Sequence, residues 1–210
     1  MDIGRDIVRL DRAAVLESVR VVESAGPGDW DRPTPCSRWT LGRLVEHMGA
    51  QHRGFAAAAR GEGADAAAWE VRPGGDDPAA RYREAAGAVL EAFARPGVLE
   101  RRFALPEIDA TAAFPASTAM GFHFIDYVVH SWDAAAALGM RTSFAPEVVE
   151  AALPIALRVP GGERRERPDA AFRPALPPDQ EAGGEAGADA LRLVLTTLGR
   201  SPDWRPPHGG

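Results

Sequence analysis

The stretch from Met120 to Asp133 constrains the fold most, because it is apolar around most of a helix and polar along one stripe. In a helix, His123, Asp126 and His130 lie at positions i, i+3 and i+7 and share that stripe. Two imidazoles and a carboxylate among apolar neighbours are typical of a metal site. The alternative is a stripe that faces water, although the other amphipathic helices face water with Arg, Glu and Ala rather than His. The rest of the circumference is filled by Phe122, Phe124, Ile125, Val128, Val129 and Trp132.

Helical spacing of apolar residues predicts four long helices and two short ones. Thr40 is expected to cap the second helix, and Pro78 suits the first turn of the third. Outside the helices, Arg101 to Leu105 is the one segment expected to be extended, and no other strand alternation is persuasive. The helices are predicted at residues 6–25, 41–60, 78–94, 116–138, 146–158 and 188–198.

These helices predict an all-α protein, an antiparallel four-helix bundle with a short helical elaboration at the C-terminus. The bundle is expected to occupy residues 1–145. Residues 146–210 form the predicted extension packed on the bundle. Within the extension, residues 161–187 are rich in Gly, Pro, Glu and Arg and are predicted to form a loop.

Charge and composition narrow the function classes. The net charge of −6 and the lack of a clustered basic helix argue against nucleic acid or an anionic membrane as partner. No apolar run reaches membrane-spanning length, the first residues carry no secretion core, and the single Cys36 fits a reducing cytoplasm. All the basic residues are Arg, which excludes lysine Schiff-base chemistry and indicates GC-rich coding DNA, as in actinomycetes.

The metal interpretation needs a third ligand from a facing helix. Asp126 and His130 supply two side chains on adjacent turns, and His47, His52 and His123 are the candidates for the rest. On the second helix, the apolar stripe passes near His52 and leaves His47 on its flank, so periodicity favours His52 as the buried histidine. Three protein ligands with an open position would make a catalytic rather than a structural site.

Three segments together resemble the DinB-like metal-binding superfamily: residues 34–49, 126–133 and 198–204. More narrowly, they resemble its actinobacterial branch, which is related to the N-terminal domain of mycothiol-dependent maleylpyruvate isomerase. The resemblance implies a four-helix bundle that holds one divalent metal, zinc or nickel, through a histidine of the second helix and an acid and a histidine of the fourth.

Carried over to this chain, those ligands are His47, Asp126 and His130, and His52 becomes a packing residue. Asp126 is shorter than the Glu of the isomerase relative, so a water could complete the shell. His123 is then the catalytic candidate, as an extra ligand or a proton shuttle. Asp133 is expected to support the site or the helix packing.

The function implied is a mycothiol-dependent isomerase or S-transferase that acts on a small electrophilic molecule. Two alternatives stay open: a Lewis-acid metalloenzyme in natural-product tailoring without a thiol, and a metal-binding protein that catalyses nothing. The loops at residues 61–77 and 99–115 are expected to shape the substrate pocket. The oligomeric state, a homodimer included, is left open.

Overall fold

The computed structural model describes residues 3–36, 39–167, 170–177 and 186–206. Within these residues it contains six α-helices, and the predicted all-α class is confirmed. The predicted helix ends differ from the observed ones by at most three residues, because apolar spacing and terminal residues such as Thr40 and Pro78 are local signals. The helices are α1 (Ile3–Val22), α2 (Leu41–Arg60), α3 (Pro78–Phe93), α4 (Ala116–Ala137), α5 (Pro146–Ala156) and α6 (Ala186–Thr197).

Helices α1 to α4 form a bundle in which each helix has two neighbours in the ring. Helix α1 packs against α4 and α3, and α2 packs against α3 and α4. Helix α4 is buried around most of its circumference, because α5 also covers it. Polar side chains on α4 must therefore find partners inside the protein.

The start of α2 is defined by local hydrogen bonds, and it places His47 in the second turn. Thr40 Oγ1 accepts from the backbone N–H of Arg43, which confirms the predicted cap. The helix ends at Gly61, whose φ of 94° is a left-handed conformation that favours glycine. The preceding loop is tied to α2 because the Gly42 N–H donates to the Trp30 carbonyl oxygen at 2.8 Å.

A small hairpin lies between α3 and α4. Its strands are β1 (Arg102–Ala104), which agrees with the predicted extended segment, and β2 (Ala113–Pro115), which the sequence reasoning missed. The strands pair antiparallel, with Phe103 opposite Phe114. Three residues are too few for an alternating pattern to be visible, so β2 could be recognised only through its partner. Among the described residues there are also three single-turn 3-10 helices: Ala66–Trp69, Val98–Glu100 and Gly162–Arg165.

The C-terminal helices pack on the bundle through α5. Helix α5 contacts α4 and α1, and α6 contacts α5. The predicted division of the chain after residue 145 stays a prediction. Part of the predicted loop at 161–187, residues 168–169 and 178–185, lies outside the described residues. In the described parts of the chain, no helix combines the length and the apolar character that crossing a bilayer requires.

Candidate metal centre

Three side chains from two helices converge where α2 packs on α4. His47, Asp126 and His130 each offer one ligand atom, and these atoms lie within 4.8 Å of one another. His130 Nε2 lies 3.4 Å from Asp126 Oδ1. Two ligands about 2.1 Å from a metal at a tetrahedral angle lie roughly 3.4 Å apart, so this pair has the spacing that a zinc-type ion needs. The geometry and the donor set therefore fit a divalent metal.

The orientation of His130 is set by a second carboxylate. Its Nδ1 lies 2.9 Å from Asp133 Oδ2, which leaves Nε2 as the nitrogen that faces Asp126. A metal-binding histidine usually donates its other ring nitrogen to a carboxylate in this way. The structure thus places Asp133 in the supporting position that the sequence suggested.

Asp133 is itself held by Arg200, a residue that the sequence reasoning did not single out. The Arg200 Nε donates to Asp133 Oδ1 at 2.9 Å and Nη2 donates to Oδ2 at 3.1 Å. Both side chains are buried. The available signal was that residues 198–204, which include Arg200, formed one of the three segments that carried the resemblance.

The pKa values of the two histidines of the centre are shifted in opposite directions. Burial, together with the nearby His130, lowers the pKa of His47 to about 4. Burial also lowers the pKa of His130, but the carboxylates of Asp126 and Asp133 outweigh it, and the pKa is raised. His47 is therefore neutral near pH 7 and has a lone pair to donate, whereas the carboxylates beside His130 favour its protonated form, which competes with a metal.

The loop before α2 places an indole ring beside the two histidines of the centre and also carries Cys36. The Trp39 ring centroid lies 4.6 Å from that of His47 and 6.3 Å from that of His130. Thr34 Oγ1 donates to the Trp39 carbonyl oxygen at 2.9 Å, which closes the loop. Burial, with the charge of Asp133 adding to it, raises the pKa of Cys36 to about 11. The thiol of Cys36 is therefore protonated at neutral pH and is a poor nucleophile.

His123 lies in a separate, fully buried polar chain. Its Nδ1 is 2.6 Å from Asp11 Oδ1, and its Nε2 is 3.1 Å from His52 Nδ1. Both ring nitrogens thus have protein partners, and the three-residue group does not include His123. The catalytic role of His123 stays a prediction. The three polar residues that share one stripe of α4 therefore belong to two different groups. His123 is part of the buried polar chain, and Asp126 and His130 are part of the candidate metal centre.

The polar chain continues from His52 to the other helices. His52 Nε2 lies 3.2 Å from Tyr82 Oη, which lies 2.6 Å from Ser18 Oγ. Asp11, Ser18, His52, Tyr82 and His123 together represent α1, α2, α3 and α4. The apolar periodicity of α2 therefore correctly predicted that His52 is its buried histidine. The partners of His52 are the residues of this polar chain and not a metal ligand set. The half-buried His47 joins the metal centre instead.

Both loops that were expected to shape a pocket contact α2 near His47. Gln51 lies one helical turn beyond His47 on the same face of α2. Its Nε2 donates to Glu107 Oε2 at 2.7 Å, and Glu107 belongs to the loop at residues 99–115. In the other loop, Trp69 packs against Gly54, about 10 Å further along the helix from His47. The loop at 61–77 also contacts α2 next to His47, because the Gly74 N–H donates to Glu46 Oε1 at 3.0 Å.

Comparisons with known proteins give a matching family model and two similar curated proteins. A family model described as the mycothiol maleylpyruvate isomerase N-terminal domain matches residues 12–135, more than half of the chain and a range that includes the three converging side chains. Two curated proteins from two strains of Mycobacterium tuberculosis, each named only as uncharacterized, are 34% identical to it over 155 residues. That alignment covers 73% of this chain and 75% of each relative. No solved structure matches the chain.

Proposed function

The chain belongs to the mycothiol maleylpyruvate isomerase N-terminal domain family, which is DinB-like, and from this we propose that it is a metal-dependent enzyme that uses a thiol cofactor. In this proposal His47, Asp126 and His130 hold one divalent metal, of which zinc fits the ligands best and nickel is the next choice. The thiol is of the mycothiol type, and the substrate is a small electrophile. The reaction is an isomerisation or an S-transfer.

The observation that carries the proposal is the convergence of three ligand atoms within 4.8 Å, with one His130 nitrogen already held by Asp133. Structural zinc sites are closed by four protein ligands, whereas catalytic sites use three and keep one position open. Three ligands are present here, which supports a catalytic site over a purely structural one. Asp126 is 19% exposed in its side chain, so the centre is reachable from solvent.

Each residue of the centre has a definite task in this proposal. A divalent metal, when bound, lowers the pKa of a coordinated thiol or polarises a carbonyl oxygen. His47 enters as a neutral donor, and Asp126 supplies the negative charge. Because the pKa of Cys36 is raised to about 11, its thiol is protonated near neutral pH, and the proposal takes the thiolate from a cofactor instead. The indole of Trp39 provides an apolar wall beside both histidines.

Metal content is the first test. Protein purified without a histidine tag should contain close to one equivalent of a transition metal, or should take it up when zinc or nickel is added. His47→Ala should abolish this binding. His52→Ala is the matched control, because it removes the other histidine of the same helix and should reduce stability while the metal is retained. Failure of the wild type to bind metal, or loss of metal in His52→Ala alone, would refute the centre.

The thiol is tested on the cobalt-substituted protein. Mycothiol at millimolar concentration should produce a thiolate-to-cobalt charge-transfer band in the wild type and none in His47→Ala. Metal binding without a band would favour the Lewis-acid variant or the protein without catalytic activity. Turnover of a carbonyl substrate without thiol would then distinguish those two.

A further inference from the structure

A buried ion pair connects the C-terminal tail, defined as residues 198–204, to helix α4. Arg200 is 2% exposed and Asp133 is 0% exposed. The Arg200 guanidinium makes a two-pronged contact with the Asp133 carboxylate, with Nε to Oδ1 at 2.9 Å and Nη2 to Oδ2 at 3.1 Å. Such forked contacts are directional, and they restrict the rotation of the carboxylate. The pair joins residues that are 67 positions apart in sequence.

The same carboxylate controls His130. Asp133 Oδ2 lies 2.9 Å from His130 Nδ1 and also accepts from Arg200 Nη2. A carboxylate held on one side by Arg200 has a fixed orientation toward the imidazole on its other side. Without Arg200, the Asp133 side chain is free to turn, and His130 loses the contact that directs Nε2 toward Asp126. Arg200 therefore acts on the centre through Asp133 and does not need to touch it.

Backbone contacts also hold the tail in place, independently of the ion pair. The Arg200 N–H donates to the Leu195 carbonyl oxygen at 2.8 Å, which closes the end of α6. Gly199 has a φ of 76°, and a Cβ built there would lie 2.5 Å from the Cβ of Arg173. The backbone thus delivers Arg200 to Asp133 through a turn that accepts only glycine. Because the backbone at residues 199 and 200 is fixed in this way, the contact between Arg200 and Asp133 is specific.

We propose that Arg200 is a positioning residue for the metal centre, so that docking of the C-terminal tail and binding of the metal stabilise each other. The proposal rests on the proposed function, because it takes His47, Asp126 and His130 as the ligands. Coupling of this kind is reciprocal: the factor by which the docked tail raises metal affinity equals the factor by which bound metal favours the docked tail. Loss of partners that orient metal ligands typically weakens metal binding about 10–100-fold.

Arg200→Gln removes the ion pair and leaves the ligands in place. Its dissociation constant for zinc, measured by competition with a chromophoric chelator on protein shown to be folded by circular dichroism, should rise about 10–100-fold. Arg165→Gln is the matched control. Arg165 is also buried in the C-terminal region, but it donates to the backbone carbonyl oxygens of Pro160, Val159 and Thr197 and not to Asp133. It should lower stability and leave the zinc affinity within about twofold, since no metal ligand loses a partner.

Hydrogen exchange of the wild type provides the second measurement, which does not depend on a variant. Saturating zinc should slow exchange at the Arg200 amide by a factor similar to the affinity loss of Arg200→Gln. Equal zinc affinity in the wild type and Arg200→Gln, or tail exchange that zinc leaves unchanged, would overturn the coupling while the metal centre stands. A wild type that binds no zinc in the same titration would instead refute the proposed function and the coupling with it.

Discussion

The affinity for a metal at the proposed centre should increase with pH by the equivalent of one proton, although two of the three proposed ligands are histidines. The pKa of His47 is lowered to about 4 by burial and by His130. The pKa of His130 is raised above its usual 6.5 because Asp126 and Asp133 outweigh the effect of burial. Between about pH 5 and pH 6.5, His47 is thus neutral and His130 is protonated in the metal-free protein. Protonated imidazole does not bind metal, so affinity must increase as the pH rises.

The size of the effect follows from the number of protons displaced. One proton per metal corresponds to roughly a tenfold gain in affinity per pH unit, or about 30-fold over this interval. Two protonated histidines would give about 1000-fold, and none would give a flat profile. Above the pKa of His130 the curve should level off, because neither histidine then carries a proton.

Calorimetry measures the proton count directly. Titration of the metal-free protein with zinc at pH 5.5, in two buffers with different ionisation enthalpies, should show release of close to one proton per metal. Asp133→Asn removes one carboxylate that raises the pKa of His130, so in this variant the rise in affinity should end at a lower pH. Release of two protons would show that His47 is not held neutral. Release of none would show that Asp126 and Asp133 do not keep His130 protonated.

Three further predictions concern stability and are checked by chemical or thermal denaturation. Tyr82→Phe removes the hydroxyl between His52 and Ser18 and should cost about 1–3 kcal/mol, and part of this loss should be recovered in the double variant with Ser18→Ala; additive losses would contradict the contact. Gly54→Ala would place a Cβ 2.2 Å from Trp69 Cε3 and should cost about 1–3 kcal/mol, and an unchanged midpoint would contradict this packing. Thr40→Ala removes the cap of α2 and should cost about 1 kcal/mol, whereas Thr40→Ser should cost much less.

Helices were the most predictable part of this protein, because each helix carries its own apolar periodicity and termination signals. The bounds of α2 were predicted to the residue from Thr40 before it and Gly61 after it. The pairing of Asp126 with His130 was also local, since residues four apart on a helix are neighbours. Strand β2 was missed because its three residues become a strand only through pairing with β1.

The choice of histidine on α2 shows the limit of periodicity. An apolar stripe reports how deeply a residue is buried, and His52 is indeed more deeply buried than His47. Burial does not say which polar group a histidine will meet. His52 forms hydrogen bonds with Tyr82 and His123. His47, at the edge of the apolar stripe, lies beside Asp126 and His130. The resemblance to a family, and not the spacing, selected His47 as the candidate ligand that lies beside Asp126 and His130.

By itself, the sequence determined the helices, their ends and the two candidate ligands on α4, because these depend on neighbours within a few turns. Only the tertiary structure decided that Asp11 meets His123 and that Arg200 meets Asp133, across 112 and 67 positions of sequence. The physical reason is that the hydrophobic effect is non-directional and brings helices together through their apolar faces, whereas a hydrogen bond requires defined atoms at a defined distance. Those distances exist only after the whole bundle and the C-terminal tail have packed.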